Sequence, residues 1–282
     1  MSQPRASASR FRLAAAALFA LATIPPAGAV EPGGVVRLVI AGWVEGRAEA
    51  ALEIALAPGW KTYWRAPGDA GIPPTITAAA APGLVGVAPR FPAPRRFDEE
   101  GLTAVGYTET VLLPLDVTTT AGTRAVDVKL AVSIGLCHDI CVPLDSEVEG
   151  RIDAERPVDT VAAGRIAAAR ARLPQPRVIG TAPEILAMRP AATATGPGLA
   201  VDVRWPEGVS DRDVLVEGPS ADWALPLPER TGDRPLGETW TFALDGLPKG
   251  ATAEGAQLLF TLRAGETAVE QRVTVEAGTP GK

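Results

Sequence analysis

Ala125-Val126-Asp127-Val128-Lys129-Leu130-Ala131-Val132-Ser133-Ile134 leads through Gly135 and Leu136 into Cys137-His138-Asp139-Ile140-Cys141-Val142-Pro143-Leu144. Apolar and polar residues alternate over its first part with a period of two, which predicts a strand over residues 125–134 with one face buried. A second aliphatic stretch, 144–152, reads as the next strand. Between them stand the only two cysteines of the 282-residue chain, with its single histidine, so redox-capable and metal-capable groups are concentrated in one connection.

Working outward, residues 35–41, 48–57 and 111–117 also read as short strands rich in aliphatic and β-branched residues. Pro58-Gly59, Ala66-Pro67-Gly68, Ile72-Pro73-Pro74 and the proline-rich 89–94 punctuate them as loops. Several strands without an intervening helix predict an antiparallel sandwich. The period then changes. Alanine and arginine dominate 157–173, where Pro157 suits a first helical turn, Val158, Val161, Ile166 and Leu173 offer a buried face, and Pro174 and Pro176 end the helix. That helix either bridges two domains or packs on the first. Strands return at 199–205, 213–217, 223–227, 239–244, 256–264 and 267–275, separated by turn residues such as Asp245-Gly246. This second all-β region lacks cysteine and histidine and is assigned no chemistry.

The amino terminus reads as an address. Arg5, Arg10 and Arg12 precede an apolar stretch, 13–23, and Ala27-Gly28-Ala29 forms a small-residue cleavage site. The apolar stretch is too short to span a bilayer, and no later run approaches the length that spanning needs. The expected organisation is a signal peptide at 1–29, a β-sandwich with the cysteine pair at 30–153, a helical linker at 154–178, a second β-sandwich at 179–277 and a tail at 278–282. The mature chain should be periplasmic, with no integral membrane segment after cleavage. The leader removes three of the 27 basic residues and none of the 33 acidic ones, taking the net charge from −6 to about −9. That balance argues against nucleic acid or an anionic membrane surface as a partner.

Three readings of the cysteine pair stand side by side. A purely structural disulfide closing so short a loop contributes roughly 2 kcal/mol, against about 4.7 for a loop of 100 residues, so stability alone favours linking distant strands. In that case the sandwiches are a binding module. A metal site is the second reading: Cys137, Cys141 and His138 offer a soft donor set suited to Cu(I). Closed zinc sites need four ligands, and no further cysteine or histidine supplies them. Thiol-disulfide exchange is the third. It needs an exposed thiolate, a second thiol close enough to resolve the mixed disulfide, and neighbours that tune the first. His138 favours a thiolate if protonated and Asp139 opposes one, so their sum has no sign at this stage.

Residues 136–144, with the strand before them, resemble the cysteine region of the amino-terminal periplasmic domain of DsbD, the thiol:disulfide interchange protein. The spacing is most similar to that of the ScsB branch, which is associated with suppression of copper sensitivity. Gly59-Trp60-Lys61-Thr62-Tyr63-Trp64-Arg65, Pro67-Gly68-Asp69, Gly71-Ile72-Pro73, Phe91-Pro92, Gly106-Tyr107 and Leu113-Pro114-Leu115 agree in order along the chain. The resemblance implies an all-β fold of two immunoglobulin-like antiparallel sandwiches joined by a helix. It implies a thiol-disulfide oxidoreductase of the protein-disulfide reductase type, with no bound cofactor. Cys141 would form the mixed disulfide and Cys137 would resolve it, with Tyr63 nearby and Asp98 and Glu99 in a loop that caps them. By themselves, Trp60, Tyr63 and Trp64 read as core or rim aromatics, and 98–100 as a solvated acidic loop.

Two departures from the family pattern stand out. Where the family has an aromatic residue after the acidic pair, this chain has Glu100 and Gly101, which leaves Phe97 or Leu102 to shield the disulfide. The family's transmembrane carrier and thioredoxin-like domain have no counterpart in the 282 residues. The expected partners are therefore a separate membrane-embedded or thioredoxin-like electron donor, and oxidised periplasmic proteins as acceptors.

Overall fold

The structure is a computed structural model that describes residues 33–276. The leader expected at 1–29 and the tail expected at 278–282 lie outside the described residues. The first ten strands are β1 (Gly34–Val44), β2 (Arg47–Leu56), β3 (Lys61–Gly68), β4 (Thr75–Ala78), β5 (Leu84–Pro89), β6 (Arg95–Glu99), β7 (Leu102–Tyr107), β8 (Val111–Thr119), β9 (Ala125–Cys137) and β10 (Cys141–Asp153). They form two facing sheets, ordered β1-β2-β8-β5 and β10-β9-β3-β7-β6, with β4 added alongside β9. The alternation that marks β9 in the sequence is realised fully: Val126, Val128, Leu130, Val132 and Ile134 are all 2 % exposed or less. They meet Leu52, Ile54, Leu113 and Leu115 of the opposite sheet in one core. Each such side chain contributes about 1.5–3 kcal/mol on burial, which drives the two sheets together.

A helix, α1 (Thr160–Ala171), follows. It packs on the outer face of the first sandwich, where Ala162 and Ile166 meet Ala41 and Ala51. Arg165 pairs with Glu53, and Arg170 reaches Glu49 at 3.1 Å and Asp116 at 2.9 Å. The helix starts later than the sequence predicts: Asp159, not the region of Pro157, is its N-cap, its side chain accepting from the N–H groups of Val161 and Ala162. Its buried face is also different. Val161 is 73 % exposed, whereas the small Ala162 and Ala169 flank a buried Ile166, because only a narrow face fits closely on an alanine-lined sheet.

The second sandwich comprises β11 (Gln175–Pro176), β12 (Glu184–Thr193), β13 (Gly196–Arg204), β14 (Arg212–Glu217), β15 (Glu229–Arg234), β16 (Gly237–Ala243), β17 (Gln257–Ala264) and β18 (Thr267–Thr274). Its sheets are ordered β11-β18-β17-β14 and β12-β13-β16-β15. The strand pairs are antiparallel except for the short β11, which runs parallel to β18. Val201, Trp240, Phe242, Val214 and Phe260 fill the core between them. The strand expected at 223–227 is an irregular connection instead. Pro226 and Pro228 lack the N–H groups a ladder needs.

The two sandwiches are fastened to each other. Leu215 of β14 is 1 % exposed and belongs to the first core, with Leu227 packed beside it. Around that contact Arg65 bonds Glu217 and Glu270, each at 2.8 Å, and Arg96 bonds Asp213 at 2.8 Å.

Candidate redox site

β9 and β10 keep one unbroken antiparallel register from Ala125 opposite Asp153 up to Cys137 opposite Cys141. That register places the two cysteines directly across the strand pair, 4.1 Å apart at Cα, and they form a disulfide. His138, Asp139 and Ile140 make the turn, closed by the His138 N–H donating to the Ile140 carbonyl at 3.2 Å. The pair is asymmetric. Cys137 is 0 % exposed and Cys141 is exposed.

β3 delivers the next residue. Lys61 lies opposite Cys137 and Thr62 opposite Leu136, so Tyr63 follows beside the sulfurs. Its hydroxyl is 2.6 Å from Cys137 Sγ and 3.3 Å from Cys141 Sγ. A disulfide carries no S–H, so the hydroxyl is the donor. The ring lies against Gly135, where an added Cβ would come within 3.0 Å of ring carbons, so only a residue without a side chain leaves room for it. Burial, with the negative charge of Glu99 adding to it, pushes the Tyr63 hydroxyl up to about 12. It therefore stays protonated, and stays a donor, at neutral pH.

β6 and β7 cover the buried sulfur. The acidic stretch read as a loop is the end of strand β6, and only Glu100 and Gly101, with φ of 53° and 85°, turn the chain back into β7. Two consecutive positive φ values are what a two-residue hairpin turn of this hand requires. The strand pairing with β7 aligns Asp98 with Thr103 and Glu99 with Leu102, which a solvated loop would not do. Phe97 packs against the cluster of Tyr63, Ala104 and Cys137, its ring centroid 6.1 Å from that of Tyr63. Leu102 is 52 % exposed, so Phe97 supplies the aromatic shield.

The acidic pair divides its work. Glu99 turns inward: its side chain is 11 % exposed, and a carboxylate oxygen and the two sulfurs all lie within 4.8 Å of one another. Lys61 holds it, donating to Glu99 Oε2 at 3.3 Å and to the Asp98 carbonyl at 3.1 Å, with its ammonium 5.0 Å from the centre of the Phe97 ring. Asp98 is exposed and accepts from the Gly101 N–H in the turn. His138 is not one of this group: its Nδ1 is 3.0 Å from Asp139 Oδ2, and its ring stands 5.8 Å from that of Trp60. The donor atoms gathered at the sulfurs thus come from Glu99, whereas the Cu(I) set read from the sequence drew on His138. Asp139 is almost wholly exposed at the tip of the turn.

Sequence reasoning assigned no role to Lys61 or Gly135. A glycine inside an otherwise clean strand pattern is itself a signal of close approach by a neighbour, here Tyr63.

Residues 37–151 match the family described as "Thiol:disulfide interchange protein DsbD, N-terminal". Among solved structures, the N-terminal periplasmic domain of ScsB from Proteus mirabilis is similar, with a TM-score of 0.64 and 19 % identity. The match covers 87 % of this chain and 92 % of that one, so the likeness of fold runs on through the second sandwich. No curated protein sequence matches. Among the described residues no helix is long and apolar enough to cross a membrane. The family match takes in the strands carrying both cysteines, so it is the cysteine-bearing first sandwich of this chain that is similar to the amino-terminal domain of DsbD, the thiol:disulfide interchange protein.

Proposed function

We propose that the protein is a periplasmic thiol-disulfide exchange protein that relays electrons from a separate membrane-embedded or thioredoxin-like donor to oxidised periplasmic proteins. The observation that carries this reading is the asymmetry of the pair, an exposed Cys141 joined to a buried Cys137 beneath a tyrosine hydroxyl. In the dithiol form the Cys141 thiolate attacks a sulfur of the substrate disulfide. That S–S bond breaks, the departing substrate thiolate takes up a proton, and Cys141 is left in a mixed disulfide. The Cys137 thiolate then attacks Cys141 Sγ, forming the Cys137–Cys141 bond and releasing the second substrate thiol. Two electrons and two protons pass to the substrate. The donor dithiol reverses these steps at Cys141, with Cys137 leaving as a thiolate 2.6 Å from the Tyr63 hydroxyl. A role in copper-stress tolerance is the part of the proposal that rests on the ScsB-type resemblance alone.

Cys141→Ala is expected to abolish exchange, and Cys137→Ala to accumulate a mixed disulfide with the substrate on non-reducing gels. Retained exchange in Cys141→Ala would overturn the assignment. Equilibration of the wild-type pair in graded glutathione or dithiothreitol buffers is the companion measurement. A potential above about −270 mV supports a relay, and one below about −300 mV marks a structural bond.

A further inference from the structure

β6 is the edge strand of its sheet, with β7 its one ladder partner, yet it carries both groups that cover the buried sulfur, Phe97 and Glu99. A short edge hairpin closed by a two-residue turn has little of its own to keep it in place. Here it is held from the other side. Arg96 adjoins Phe97 and, in an extended strand, points to the opposite face. Its guanidinium donates to Asp213 Oδ1, to the Val214 carbonyl and to the Pro228 carbonyl, each at 2.8 Å. All three acceptors belong to the second sandwich or its connections, and the Asp213 side chain is 6 % exposed. Arg95 adds bonds to Asp211 at 2.8 Å and Glu266 at 2.6 Å. One strand therefore joins the cover of the disulfide to a region with no redox chemistry of its own.

We infer that the second sandwich is a latch for the β6–β7 hairpin, with Arg96 as the positioning residue that keeps Phe97 and Glu99 over Cys137. The inference rests on the exchange reading and assigns a task to the second sandwich within it. With the latch closed, reagents and partners meet Cys141 only, and the carboxylate of Glu99 stays beside the sulfurs. With it released, Cys137 opens to solvent.

The test is residue-resolved alkylation of the dithiol protein by iodoacetamide, read by mass spectrometry, in wild type, Arg96→Met and Asp213→Ala. Labelling of Cys137 is expected to accelerate about tenfold in Arg96→Met and about threefold in Asp213→Ala, as local opening becomes easier. Labelling of Cys141 should change less than about twofold, since that thiol is already accessible. A general loss of structure would raise both rates together and lower the melting temperature to the assay range, so the ratio of the two rates separates a latch from mere destabilisation. Unchanged Cys137 labelling in a folded Arg96→Met overturns the inference; should that variant not fold, unchanged labelling in Asp213→Ala does so. The assay reads the position of the cover whether or not a partner is engaged. Failure of the exchange reading shows separately, as a wild-type disulfide inert to dithiothreitol.

Discussion

The hydroxyl of Tyr63 stands 2.6 Å from Cys137 Sγ and 3.3 Å from Cys141 Sγ, so one buried donor serves both sulfurs of the disulfide. Its closer partner is the buried sulfur, the one on which charge develops when Cys141 is attacked. In a site shielded from water, a fixed donor aimed at that charge is worth more than a solvent hydrogen bond.

Tyr63→Phe keeps the ring and removes the donor. Hydrogen bonds to charged groups contribute about 1.5–3 kcal/mol, so reduction of the disulfide by dithiothreitol should slow by roughly tenfold or more. Stopped-flow or quenched thiol trapping reads the rate. A rate equal to wild type would remove Tyr63 from the chemistry and leave it as packing.

Gly135→Ala tests how the tyrosine is seated. The new Cβ would lie 2.9 Å from Ile72 Cβ and 3.0 Å from Tyr63 ring carbons, on a strand that cannot shift without breaking its ladder. Overpacking of this kind costs about 1–3 kcal/mol, measurable as a lower urea midpoint at unchanged m-value. Exchange should slow as well, because the displaced ring carries the hydroxyl away from Cys137.

Ile166→Ala probes the attachment of α1. Ile166 is 1 % exposed at the contact with Ala41 and Ala51, and its truncation should cost about 2–5 kcal/mol in denaturant unfolding. A loss well under 1 kcal/mol would mean that the arginine–glutamate pairs, not the apolar face, hold the helix.

Acid stability should report the interface carboxylates. Hydrogen bonds from Arg263 and then Arg95 hold Asp211 down from 3.8 to about 2, against the opposing effect of burial. The folded value lies below the unfolded one, so the ion pairs contribute fully above pH 3.8 and are lost as the pH falls through about 2. Asp202 and Glu184 are also held low, each by arginines that bond it and, respectively, by the Thr239 hydroxyl and the Gly180 N–H. Melting temperature should therefore fall between pH 3.8 and about 2, and less steeply in Asp211→Asn. Parallel pH profiles for the two proteins would contradict the assignment.

Much of the site was legible along the chain. The period-two pattern at 125–134 led straight into β9, and the spacing of Cys137 and Cys141 announced a local pair, since an antiparallel turn brings residues so placed across from each other. Tyr63, Asp98 and Glu99 were reachable only through resemblance, because nothing within a linear stretch says which aromatic or acid will meet a residue 38 to 78 positions away. The strand β6 was hidden for a related reason. Arg95-Arg96-Phe97-Asp98-Glu99 has the composition of a solvated segment, and its two arginines are explained only by the second sandwich that receives them. Helix α1 was visible in its alanine-rich run, but its buried face was not, since alanines count for little in an apolar pattern until a flat, small-residue sheet surface makes them the closest fit.

The sequence by itself determined what depends on neighbours in the chain: strand character from alternation, turns from glycine and proline, and a local pair from two cysteines in one connection. Tertiary structure alone decided the rest: that Cys137 is buried and Cys141 exposed, that Glu99 and not His138 faces the sulfurs, and that the second sandwich grips the strand covering them. Burial and ion pairing depend on which surfaces come together in space, and these partners lie in strands far apart along the chain.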